Sequence, residues 1–88
     1  MRIVALRSFS RDIDDLPDAK LRARVKQTVL AMEAVSSIMD LRQVKKMKGH
    51  PQAYRVRIGS YRLGFFLEGD LITLVRFAMR VEIYKRFP

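Results

Sequence analysis

The sequence contains no cysteine and no tryptophan, only one histidine (His50), four glycines and three prolines. Without cysteine there is no disulfide, no thiolate nucleophile and no zinc–thiolate centre. With a single imidazole, a metal site built on paired histidines is excluded, and any Ser-His-Asp arrangement would have to use His50. No long apolar run occurs, so neither a membrane-spanning helix nor a secretory hydrophobic segment is expected, and a cytoplasmic setting is the default. No repeat, linker or low-complexity tract is visible. Acids are missing from one whole region: none lies between Asp40 and Glu68.

That acid-free region holds Arg42, Lys45, Lys46, Lys48, Arg55, Arg57 and Arg62. The acids crowd the front instead, at Asp12, Asp14, Asp15 and Asp18, and the chain carries a formal charge of +9. A basic stripe on a small domain points to phosphate, hence nucleic acid, or to a very acidic protein partner. The 88 residues, 49% of them hydrophobic, suffice for one domain (1–88) with a small core.

The stretch from Tyr54 to Phe77 organises the rest. Three β-branched or aromatic runs are separated by Gly59-Ser60 and by Glu68-Gly69-Asp70, the pattern of an antiparallel meander. Gly59-Ser60 suits a two-residue type II′ turn. Counting from it, Ile58 faces Tyr61, Arg57 faces Arg62, Val56 faces Leu63, Arg55 faces Gly64 and Tyr54 faces Phe65. Alternation then puts Arg55, Arg57, Arg62 and Gly64 on one face and the apolar residues on the other. Arginine opposite arginine is destabilising across a strand pair. Either an anion sits between Arg57 and Arg62, or both side chains splay into water.

For the second break a three-residue loop is expected, pairing Leu67 with Leu71, Leu63 with Val75 and Arg62 with Arg76. It would align Arg57, Arg62 and Arg76 in one row. A two-residue loop would slip the register by one and bury Arg76 among Leu63 and Phe65, at the cost of an unpaired charge.

Upstream, Met1 to Phe9 reads as a strand. Ser10 is an N-cap candidate for a short helix from Arg11 to Leu16. A second helix from about Pro17 to Val35 is predicted from the stripe Leu21, Val25, Val29, Met32, with Asp18 at its positive end. The segment Asp40 to Gly49 reads as an irregular connector pinned by Leu41, Val44 and Met47, and His50 as an exposed residue beside a turn. After Phe77, Arg80 and Tyr84 share one side if that segment is helical.

The stretches Lys-Met-Lys-Gly-His-Pro-Gln-Ala-Tyr-Arg-Val-Arg-Ile-Gly-Ser-Tyr-Arg-Leu (46–63) and Leu-Val-Arg-Phe-Ala-Met-Arg-Val-Glu-Ile-Tyr (74–84) resemble the RelE/ParE superfamily, the toxins of bacterial type II toxin–antitoxin systems. The resemblance covers essentially the whole chain. It implies an α+β domain: an antiparallel sheet of an N-terminal strand plus a three-stranded C-terminal meander, with two N-terminal helices packed on one face. RelE-type members cut messenger RNA on the ribosome without metal or cofactor, the ribose 2′-hydroxyl attacking the adjacent phosphate. ParE-type members poison DNA gyrase.

Carried over residue by residue, the resemblance makes Arg62, Arg80 and Tyr84 the catalytic candidates. Arg55, Arg57 and Arg76 stand at its basic positions, and Lys45, Lys46 and Lys48 extend the phosphate-binding surface. Two departures bear on catalysis. Arginine at 55 and 57 cannot serve as a lysine general base. Met79 stands where close relatives often have histidine, leaving Glu82, Tyr84 and His50 for proton transfer. The resemblance implies a translation-blocking endoribonuclease; a gyrase-binding toxin and a non-catalytic RNA-binding member remain the alternatives. In each case the implied partner is an acidic, partly disordered antitoxin, and the bare domain is expected to be a monomer or weak dimer.

Overall fold

The computed structural model describes residues 1–88. The elements run β1 (Arg2–Ala5), α1 (Arg7–Asp14), α2 (Ala19–Ala34), a 3-10 turn (Ile38–Asp40), β2 (Val44–Lys46), β3 (Ala53–Ile58), β4 (Tyr61–Glu68), β5 (Leu71–Met79) and α3 (Arg80–Arg86). The five strands form one sheet in the order β1-β5-β4-β3-β2. The fold is α+β as expected, but the sheet is mixed. β1 runs parallel to β5, with Arg2 beside Leu71 and Ala5 beside Leu74. The chain crosses between them through all the intervening elements, as a parallel pair requires.

Two apolar layers sandwich the sheet. On one face Phe9, Val25 and Met32 from the first two helices meet Val56, Ile58, Leu63, Phe65, Ile72, Leu74 and Phe77. On the other, Ile83 and Phe87 settle on Met47 and Ala53. Burying a side chain the size of Ile83 or Phe87 contributes about 1.5–3 kcal/mol, enough to hold a seven-residue helix against the sheet.

The helices begin where capping and packing dictate. Asp18 caps α2, its carboxylate accepting from the amides of Lys20 (2.9 Å) and Leu21 (3.2 Å). The predicted stripe Leu21, Val25, Val29, Met32 does face the core. The first helix starts at Arg7 rather than Arg11, and Ser10 lies inside it, its amide donating to the Leu6 carbonyl. The expected connector holds a short strand, β2, which pairs antiparallel with β3 and sets Lys45 opposite Arg55.

The β3–β4 register is the one counted from Gly59-Ser60, Arg57 opposite Arg62 included. Gly59 has φ +59° and Ser60 is not left-handed, consistent with a type II′ turn. The β4–β5 register differs from expectation. Glu68 pairs with Leu71 across a two-residue Gly69-Asp70 turn, and Phe65 pairs with Leu74. A bulge follows: Gly64 pairs with Arg76, Leu63 with Phe77 and Arg62 with Ala78, leaving Val75 as the extra residue. The bulge undoes the slip of the shorter loop, so Ile72, Leu74 and Phe77 all reach the helix-side core. Arg76 is kept out of the helix-side apolar core by a bulge, not by a longer loop. The row of Arg57, Arg62 and Arg76 therefore does not exist; Arg57 and Arg62 continue to Ala78, and Arg55 continues through Gly64 to Arg76.

Beyond β1 the outer edge of β5 is covered by α1. The Ser8 hydroxyl donates to the Val75 carbonyl (2.6 Å), and Asp12 accepts from the Phe77 amide (2.9 Å). These side chains satisfy backbone groups that would otherwise form an open sheet edge. No helix of the chain is long and apolar enough to cross a membrane.

Candidate phosphate-binding face

The hairpin β3–β4 gathers Arg55, Arg57 and Arg62 on the face opposite the α1/α2 core, and α3 lies across that same face. Gly64 decides how closely α3 approaches. A Cβ at this position would lie 2.5 Å from the Phe87 ring, so only glycine lets Phe87 rest on β4. Phe66 supports the same ring at a centroid separation of 5.1 Å. Seated this way, α3 presents Arg80 at its start and Tyr84 one turn later.

Two clefts result. One, about 250 Å3, lies between the β3–β4 turn and the start of α3 and is lined by Arg57, Arg62 and Arg80 together with Ser60 and Met79. The other, about 330 Å3, lies between β2 and α3. Lys45, Lys46, Lys48, Arg55 and Tyr84 surround it, over a floor of Met47 and Phe87.

Arg62 is the unusual member. Only 6% of it is exposed. One terminal nitrogen, Nη1, donates to the carbonyls of Gly59 (3.0 Å) and Tyr61 (2.9 Å), while Nε is buried with no partner. Burial, then the charges of Arg55 and Arg57 and more weakly Arg80, pushes its guanidinium below the usual arginine range, with Tyr84 opposing. A buried charge without a counter-ion is costly. Every carboxylate that forms an ion pair does so elsewhere: Asp70 with Arg2, Asp12 with Arg76, and Glu82 with Lys85 and Arg86. The two clefts are therefore cationic, with no carboxylate of the chain paired to the arginines and lysines that line them.

Arg76 is not part of this surface. Its Nε and Nη2 bind Asp12 at 2.8 and 3.1 Å, and both side chains are largely buried. Of the three groups considered for proton transfer, Tyr84 alone lines either of these two clefts. Glu82 is turned along α3 toward Lys85 and Arg86. His50 leans on Phe66, ring centroids 5.1 Å apart, and its Nδ1 accepts from the Gln52 amide. No three His, Asp or Glu side chains come together as a metal-ligand set.

No protein-family model matches the chain. Over 89 aligned positions it is 34% identical to Toxin RelE3 of Methanocaldococcus jannaschii, and the match spans the whole of both proteins. The chain belongs to the RelE family of toxins. Its fold is similar to the RelE-RelB structures. The antitoxin–toxin complex from Methanococcus jannaschii superposes with a TM-score of 0.80 at 31% identity, covering 97% of this chain and 99% of that one. The archaeal complex from Pyrococcus horikoshii OT3 gives 0.73 at 19% identity over 90% and 93%, and the E. coli complex 0.70 at 15% over 89% and 94%; these two show the shared fold alone.

Within this RelE fold, Gly64 and Phe87 are the positions shaping the basic face that residue-type reasoning missed, since neither bears a reactive group. The signal was present: glycine interrupts β4 between Leu63 and Phe65, where an isolated strand glycine marks close approach by another element.

Proposed function

We propose that this toxin is an endoribonuclease acting on messenger RNA during translation, with the scissile phosphate held between Arg57, Arg62 and Arg80. The observation that supports this most is the buried, counter-ion-free Arg62 with its unpartnered Nε. In the proposed reaction the ribose 2′-oxygen attacks the adjacent phosphorus and the bond to the 5′-oxygen breaks. The products are a cyclic phosphate and a free 5′-hydroxyl. Charge accumulates on the phosphoryl oxygens, and preorganised guanidiniums stabilise it without rearranging. One proton leaves the 2′-hydroxyl and one reaches the 5′-oxygen; the Tyr84 hydroxyl, one helical turn from Arg80 in the adjoining cleft, is the group proposed to exchange one. Lys45, Lys46, Lys48 and Arg55 hold the neighbouring phosphates.

The proposed partner is an acidic antitoxin. The solved RelE relatives are complexes with RelB. This chain has a +9 charge and an apolar groove lined by Ile3, Phe9, Ile13, Val25 and Leu74 and rimmed by Arg22 and Lys26, suited to an amphipathic acidic segment.

Induction of the chain alone, followed by mapping of 5′-hydroxyl ends in ribosome-bound messages, tests the reading. New internal ends support it. Growth arrest with intact messages would overturn the nuclease and leave a binding toxin. A DNA-damage response with linear DNA would point to gyrase.

A further inference from the structure

Arg57 stands at a junction. On one side it lines the cleft with Arg62 and Arg80. On the other it lines a second depression of about 270 Å3, formed with Arg24, Gln27 and Thr28 of α2. The Arg24 guanidinium rests against the β3–β4 turn: Nη1 lies 3.1 Å from where a Gly59 side chain would begin. The turn thus separates two cationic hollows that share a single arginine. Neither Arg24 nor Arg57 has a carboxylate within ion-pair distance, whereas Arg2, Arg76, Lys85 and Arg86 all do. Gln27 adds an amide able to donate or accept, and Thr28 retains its acceptor lone pairs while donating to the Arg24 carbonyl.

We propose that the RNA does not end at the sheet face but bends around the β3–β4 turn, with Arg24 and Gln27 binding a further backbone phosphate beside α2. This rests on the phosphate reading of the sheet face and extends it to a second subsite. Two uncompensated guanidiniums on either side of a tight turn repel each other unless an anion lies between or beyond them. A continuous phosphodiester chain supplies such anions at regular spacing. The subsite is sequence-tolerant, because it offers charge and amide donors rather than an aromatic platform or a fixed set of base-reading groups.

The test uses 2′-O-methyl RNA, which lacks the attacking hydroxyl, in two lengths: a tetranucleotide that fills only the sheet face and a decanucleotide that also turns the corner. Affinities are measured against salt for the native chain, Arg24→Gln, Arg24→Lys and Arg62→Gln. Arg24→Gln is expected to weaken the decanucleotide about fivefold at roughly 0.1 M salt and to lower its salt slope by about 0.7. It should leave the tetranucleotide unchanged, and Arg24→Lys should restore both quantities. Equal loss on both lengths, or no loss on either, overturns the second subsite. Failure of the native chain to bind either RNA overturns the phosphate reading itself. If binding of both lengths is lost only in Arg62→Gln, the sheet-face reading stands and the extension falls.

Discussion

Asp12 grips Arg76 through both carboxylate oxygens and, with one of them, also accepts the Phe77 amide. A single side chain of α1 thus neutralises the charge at the bulge and closes the edge of β5. Both partners are largely buried, with side-chain exposures of 16% and 24%. Asp12→Ala leaves a guanidinium and an amide unpaired together and is expected to cost about 2–4 kcal/mol. Urea unfolding would show a lower midpoint at an unchanged slope. Arg76→Ala should cost less, and the double variant should reveal a coupling of about 1–3 kcal/mol.

Arg62 should behave in the opposite sense. Arg62→Met removes a buried, unpaired charge and keeps an unbranched stem, so folding should gain about 1 kcal/mol, a rise in Tm of roughly 4–8 °C. The same variant should lose RNA cleavage and most phosphate affinity. A stabilised but inactive protein is the expected outcome, read by thermal unfolding beside cleavage.

Much of this is legible in the sequence. The β3–β4 hairpin followed from counting outward from Gly59-Ser60, because a two-residue turn admits one register. The meander was legible from residue type. The remaining features depend on partners distant in the chain. β2 is three residues, two of them lysine, and becomes a strand by pairing with β3. The parallel β1–β5 pair joins opposite ends of the described chain. The bulge was hinted at by Ile72, Leu74 and Phe77, spaced two and then three apart. Which arginines are free was not readable locally, since Asp12 lies 64 positions from Arg76.

Gly64→Ala tests how α3 is held. The added methyl overlaps the Phe87 ring, so the ring must lift or the helix must shift. The expected cost is about 1–3 kcal/mol, with RNA binding at the Tyr84 cleft weakened alongside. Adding Phe87→Leu should recover part of the stability lost, read as the difference in Tm between single and double variants.

Tyr84 separates two roles by substitution. It is 56% exposed and free to meet a base. Tyr84→Phe keeps the ring and should retain RNA affinity while slowing cleavage by about 10²–10⁴-fold if the hydroxyl exchanges a proton. Tyr84→Ala should in addition weaken binding by about 1–3 kcal/mol. Single-turnover cleavage and binding, measured on the same RNA, distinguish them.

The lysines of the second cleft should act additively and without regard to sequence. Lys45→Ala, Lys46→Ala and Lys48→Ala are each expected to reduce the salt slope for single-stranded RNA by about 0.7, equally for different base compositions. A composition-dependent effect would mean that one of them reads a base.

The pairing of β1 with β5 bears on when a newly made chain becomes dangerous. During synthesis the first strand emerges early and has no neighbour until Leu71 to Leu74 follow it out of the ribosome. Asp12 waits equally long for Arg76, and α3 cannot dock before β4 and β5 are in place. Assembly of the cationic face therefore waits for Leu71 to Met79 to pair and for α3 to dock, so a chain lacking those segments cannot present its arginines together.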